Sequence, residues 1–108
     1  AQFCVVLHAL IRNSLEAIAP GGVIRVMLET CQQEGRPAIA LSVLDDGRGL
    51  SEIERRHLFD PFFSGRQAGR GLGFGLPKCR RIVEQHGGSI DVQSGDGTTQ
   101  ARTVWPIG

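Results

Sequence analysis

The three cysteines, Cys4, Cys31 and Cys79, include no C-x-x-C spacing, and each lies inside an apolar or helical pattern. An odd set of this kind reads as reduced thiols in a reducing compartment. No apolar run approaches the ~18 residues that a membrane-spanning helix needs, and no basic-then-apolar leader opens the sequence. A soluble, cytoplasmic domain is therefore expected, with membrane attachment of any parent protein left open. Net charge is also scarce: Lys+Arg 12 against Asp+Glu 11 leaves +1, which gives no electrostatic case for a nucleic-acid or membrane partner. Lysine is nearly absent, with Lys78 alone beside eleven arginines. That bias follows genome composition as readily as forked recognition of phosphate. Repeats and low-complexity segments are missing too.

What is present fits one domain over residues 1–108, since 108 residues and 11.7 kDa suffice for a single core. Ala1 already lies inside a helical pattern, so the sequence is expected to be a fragment of a longer protein. Over residues 3–18, Leu7, Leu10, Ile11, Leu15 and Ile18 share one helical face, and Pro20-Gly21-Gly22 stops the pattern. Ala9, Asn13, Glu16 and Ala17 form a second stripe on another side of that helix, which could line a site. Residues 23–30 and 38–44 read as a hairpin around Gln33-Glu34-Gly35-Arg36-Pro37. Ser51 caps a short helix to His57. A further helix is predicted from about Phe74 to His86, with Leu76, Cys79, Ile82 and Val83 inward and Pro77 confined to its first turn. Two last strands, 89–93 and 98–105, flank Ser94-Gly95-Asp96-Gly97.

The most informative stretch is Gly69-Arg70-Gly71-Leu72-Gly73-Phe74-Gly75-Leu76. Its glycines lead into a helix whose free N–H groups and positive dipole end suit an anion, so it reads as a phosphate-binding segment. It lacks the Rossmann fingerprint and a Walker lysine. Alone such a run is weak, but three further patterns surround it in order: Arg12-Asn13-Ser14-Leu15-Glu16-Ala17, Asp45-Asp46-Gly47-Arg48-Gly49-Leu50 and Leu58-Phe59-Asp60-Pro61-Phe62-Phe63.

In that order these motifs resemble the ATP-binding catalytic domain of sensor histidine kinases, in the superfamily shared with type II topoisomerase ATPase domains and MutL-type repair proteins. They are similar to its N box, first glycine box, F box and second glycine box, and Gly97-Thr98 resembles its final glycine-threonine turn. The resemblance covers nearly the whole chain. It implies a Bergerat fold: a two-layer α/β sandwich whose mixed, mainly antiparallel sheet carries helices on one face.

The resemblance also implies roles. Asn13 is placed as the Mg²⁺ ligand, its carboxamide oxygen being a hard, uncharged donor. Glu16 either orders a metal-bound water or faces solvent. Asp45 stands as the adenine-reading carboxylate, with Gly47 and Gly49 turning the chain beneath the base. Ala17 and Leu50 belong to the adenine wall or to plain core, and Thr98 either completes the adenine site or caps a turn. Gly69, Arg70, Gly71, Leu72, Gly73, Phe74 and Gly75 hold the triphosphate at the edge of an ATP lid spanning about residues 64–73. Arg66 or Arg70 reaches the β or γ phosphate. Phe59, Phe62 and Phe63 anchor the core or contact a phosphoacceptor helix.

Together these imply binding of Mg-ATP and presentation of the γ-phosphoryl to a histidine on another domain, in two-component signal transduction. The implied partners are an upstream dimerisation and phosphoacceptor domain within a homodimeric parent, and a response regulator; no nucleic acid is implied. His8, His57 and His86 lack a phosphoacceptor context, so the fragment is not expected to autophosphorylate. Ala9 departs from the pattern. Topoisomerase-like and MutL-like members carry a water-activating glutamate there, and many histidine kinases a second asparagine. An ATPase clamp is disfavoured on that ground, and a nucleotide-binding regulatory module without transfer activity stays as the alternative.

Overall fold

The computed structural model describes residues 2–47, 49, 52–57, 72–95 and 97–107, with side chains described at all of these except 16, 17, 54, 55 and 72–75. The elements run α1 (Gln2–Ala17), β1 (Ile24–Gln33), β2 (Arg36–Asp45), α2 (Glu52–Arg56), α3 (Leu72–Gln85), β3 (Ser89–Gly95) and β4 (Thr98–Pro106). The strands form one sheet in the order β1-β2-β4-β3, and α1 and α3 pack side by side against it. This is the expected two-layer α/β sandwich. The sheet is expected to be mixed and mainly antiparallel, and every pairing among the described residues is antiparallel.

The hairpin is tighter than its turn residues suggest. Both strands extend through Gln33 and Arg36, which pair directly, leaving only Glu34 and Gly35 as the loop. Their φ values of 52° and 77° are those of a two-residue turn whose twist matches the flanking strands.

Register explains the core. Across the helix-covered face run the rows Val26–Val43–Ala101–Val92 and Leu28–Leu41–Thr103–Ile90, followed by Thr30–Ile39–Trp105. Val43, Ala101 and Trp105 bury against Val6 and Leu10 of α1 and Leu76, Cys79, Ile82 and Val83 of α3. Two polar side chains of β4 inside this core are paired. Trp105 Nε1 donates to Thr103 Oγ1 at 2.8 Å, and Thr103 Oγ1 donates to the Leu41 carbonyl at 3.3 Å. The rings of Phe3 and His86 stand 5.2 and 5.4 Å from Trp105, tying the start of α1 and the end of α3 to β4.

Two expectations about the helices are corrected. Leu15, assigned to the inward face of α1, is 57% exposed, while Val6 is fully buried. At 100° per residue Leu15 lies about 40° beyond Ile11, at the margin of the apolar stripe rather than within it. Val26 and Leu28 of edge strand β1 are also exposed. Pro77 is not in the first turn, because α3 begins at Leu72. It lies in the second turn, where it forgoes a bond to the Gly73 carbonyl. Gly73 and Gly75 are consequently helical residues.

The far end of α3 closes as a Schellman motif. Gly87 has φ 79°, its N–H bonds to the Glu84 carbonyl at 3.0 Å, and the Gly88 N–H bonds to the Val83 carbonyl at 2.9 Å. The inward prediction for Cys79 holds: it is buried, and burial pushes its thiol up to about 11. The folded state holds that proton after the unfolded chain has lost it, so stability is full below the unfolded value of 9.0 and declines as pH rises toward 11. Urea unfolding between pH 8 and 11 is expected to register a loss of roughly 2 kcal/mol, with a flatter profile in Cys79→Ala.

Candidate nucleotide site

Below the apolar rows, the last row of the helix-covered face is polar. Ile24 pairs with Asp45, Asp45 with Thr99, and Thr99 with Ser94, so three polar side chains stand in line across β2, β4 and β3. Asp45 and Thr99 are each only 3% exposed. The Ser94 and Thr99 hydroxyls are hydrogen-bonded at 3.1 Å, and Asp45 Oδ1 accepts the Gly47 N–H at 2.9 Å. Buried carboxylates and hydroxyls at the edge of an otherwise apolar layer need polar company, and here each has some.

Both helices bring their functional ends to this row. The loop after α1 leads directly to Ile24, so the C-terminal part of α1, with Asn13, lies at the Asp45 end of the sheet. At the opposite end α3 turns through Gly87 and Gly88 into β3, which then runs back to Ser94. The N-terminus of α3 at Leu72 therefore shares the end of the sheet with Asp45, Thr99 and Ser94. Its free N–H groups and positive dipole end suit an anion.

Asn13 supplies the most telling atom. Its side chain is half-buried, and Oδ1 is fully buried without a hydrogen-bond partner. A buried carboxamide oxygen left unpaired costs about 1–3 kcal/mol, and its chemistry fits a hard cation or a donor on a ligand. Ala9, one turn earlier, packs against the main core cluster. Glu16 and Ala17 are in the last turn of α1.

Asp46 has a different task from Asp45. Its Oδ1 accepts the Val23 N–H at 3.0 Å, and its own N–H reaches the Val23 carbonyl at 3.4 Å, clamping the entry to β1. Gly22 is needed there because a Cβ would come 2.9 Å from both Asp46 Oδ1 and Ile18 Cβ. Gly49 has φ 79° and faces the hydroxyl pair, where a Cβ would lie 2.7 Å from Ser94 Oγ.

Thr98 does not join this group. It is exposed and alternates onto the opposite face of β4, while its neighbour Thr99 stands beside Asp45. Period-two counting back from Trp105 through Thr103 and Ala101 identifies Thr99, a signal that the glycine-threonine motif alone does not carry. Ser94 is the second residue missed, and the same count from Ile90 and Val92 finds it. Leu72, Gly73, Phe74 and Gly75 form the first turn of α3. Leu50, Arg66, Gly69, Arg70, Gly71 and the Phe59, Phe62 and Phe63 segment lie outside the described residues.

Residues 2–107 match the family model described as histidine kinase-, DNA gyrase B- and HSP90-like ATPase. The chain belongs to this family. Membership in the histidine kinase, gyrase B and HSP90 ATPase family makes it an ATP-binding domain. Among curated relatives, it is 38% identical over 100 residues to the sensor histidine kinase ZraS of Escherichia coli K12, covering 93% of this chain and 20% of that protein. It is 42% identical over 99 residues to the C4-dicarboxylate transport sensor protein DctB of Rhizobium meliloti, covering 89% and 15% respectively. The chain thus spans a fifth or less of these two relatives. Among solved structures, the catalytic domain of histidine kinase ThkA superposes with a TM-score of 0.80 at 29% identity, covering 97% of this chain and 66% of that one. The mycobacterial sensor histidine kinase MprB gives 0.78 at 27% identity, covering 94% and 70%. Among the described residues no helix is long and apolar enough to cross a membrane.

Proposed function

We propose that residues 1–108 are the single ATP-binding catalytic domain of a sensor histidine kinase, which binds Mg-ATP and presents its γ-phosphoryl to a histidine on a separate domain of the parent protein. The observation that carries this reading is the convergence, at one end of the sheet, of buried Asp45, the orphaned Asn13 oxygen and the N-terminus of α3. Asp45 accepts from the exocyclic amine of adenine, and Thr99 beside it meets the adjoining ring nitrogen. Gly47 and Gly49 carry the chain past the base. Asn13 Oδ1 would hold Mg²⁺, which when bound offsets charge on the triphosphate oxygens. Gly69 to Gly75 and the α3 N-terminus bind the phosphates, assisted by Arg66 or Arg70. These groups orient and neutralise, and the domain forms no covalent bond with the nucleotide.

The partners follow from the kinase relatives. They are a dimerisation and phosphoacceptor domain in a homodimeric, cytoplasmically exposed parent, and a response regulator further along the pathway. The ATPase-clamp reading loses support because Ala9, where a water-activating carboxylate would stand, packs its methyl into the core.

Asp45→Asn tests the base assignment most directly. Its carbonyl oxygen can still accept the Gly47 N–H, but its amide group would face the adenine amine donor to donor. Titration calorimetry with Mg-ATP is expected to give a Kd raised roughly 10- to 100-fold. Unchanged affinity would remove Asp45 from the site.

A further inference from the structure

We infer that Ser94 is a positioning residue for base recognition, donating its hydroxyl proton to Thr99 Oγ1 so that the Thr99 proton is turned toward the purine ring nitrogen next to the amine. This inference rests on the reading of the Asp45 end as the adenine site. Adenine presents a donor, the exocyclic amine, beside an acceptor, ring nitrogen N1. Reading that pattern requires an acceptor and a donor side by side. A carboxylate accepts and does not donate, so beside Asp45 the donor must come from its cross-strand neighbour Thr99. Thr99 has a single hydroxyl proton. If that proton went to Ser94, Thr99 would show only lone pairs to N1, an acceptor facing an acceptor, and only the amine contact to Asp45 would remain. With adenine bound, the 3.1 Å Ser94–Thr99 bond therefore runs from Ser94 to Thr99.

The surroundings support a dedicated hydroxyl at position 94. Its partners on the same face of β3, Ile90 and Val92, pack against the core, so an aliphatic residue would continue the pattern. Ser94 instead pairs directly with Thr99 across β3 and β4. Gly49 closes over the pair in the left-handed region, and any side chain there would displace the Ser94 hydroxyl, since a Cβ would stand 2.7 Å from Ser94 Oγ. The glycine and the serine thus serve one arrangement from two separate segments.

The test measures Kd for Mg-ATP and Mg-1-deaza-ATP, which lacks the ring nitrogen in question, on wild type, Ser94→Ala and Gly49→Ala. Wild type is expected to prefer ATP about fivefold. Ser94→Ala should lose that preference, weakening ATP about fivefold and leaving 1-deaza-ATP unchanged. Gly49→Ala should likewise lose the preference, through its clash with the Ser94 hydroxyl. A purely structural role would weaken both nucleotides equally, and that result overturns the inference. So does a Ser94→Ala protein that keeps its preference, or a wild type with none. A wild type that binds neither nucleotide overturns the adenine reading itself.

Discussion

Asn13→Ala is expected to lower phosphoryl transfer about a thousandfold while raising the Kd for ATP by no more than about tenfold. Two parts of the site act at different moments. In the proposed arrangement Asp45 serves the base and Asn13 the phosphates, so removing the carboxamide should leave base recognition in place. What is lost is a buried, unpartnered oxygen, which the proposal assigns to the ion that neutralises the triphosphate during transfer. Asn13→Asp separates a metal role from a packing role. Its oxygen is also a hard donor, so it should recover part of the transfer activity and shift the Mg²⁺ concentration needed for half-maximal rate, whereas Ala should not be rescued by excess Mg²⁺. The measurement is the rate of label transfer from ATP to the parent protein's phosphoacceptor domain over a Mg²⁺ titration. Transfer within threefold of wild type in Asn13→Ala would remove the metal assignment.

The same atom shows what the sequence could and could not say. Asn13, Asp45 and the glycine run stand in the order that carries the resemblance to an ATP-binding family, and the family match over residues 2–107 bears out that resemblance. Element type was legible from periodicity, and the inward set of α3 was read without error. Position within the layers was harder. Leu15 carries the right residue type at nearly the right angle, yet it is exposed. Thr98 and Thr99 are chemically identical, so only strand parity distinguishes them, and parity depends on an anchor such as Trp105. The missing N–H of Pro77 points to a first-turn position. The helix nevertheless starts two residues earlier than its apolar pattern, and the proline falls into the second turn.

Gly88→Ala is expected to destabilise the chain by about 3 kcal/mol or more, out of the roughly 5–15 kcal/mol that a domain of this size has. A Cβ at position 88 would overlap the Val104 carbonyl oxygen and lie 3.0 Å from Val83 Cγ1. The first neighbour is backbone in the central ladder, so it cannot yield by changing a rotamer. Gly95→Ala is the matched control: no atom lies within 4 Å of a Cβ there, and its stability should stay within about 0.5 kcal/mol of wild type. Urea denaturation of both variants gives the comparison, and equal midpoints would refute the close-approach account. Trimming Val83 to Ala in the Gly88→Ala background removes only the side-chain contact, so it should not restore stability. Any folded fraction should also bind ATP more weakly. Gly88 sets the spacing between the end of α3 and β4, and a helix pushed off that contact carries its N-terminus away from Asp45, Thr99 and Ser94.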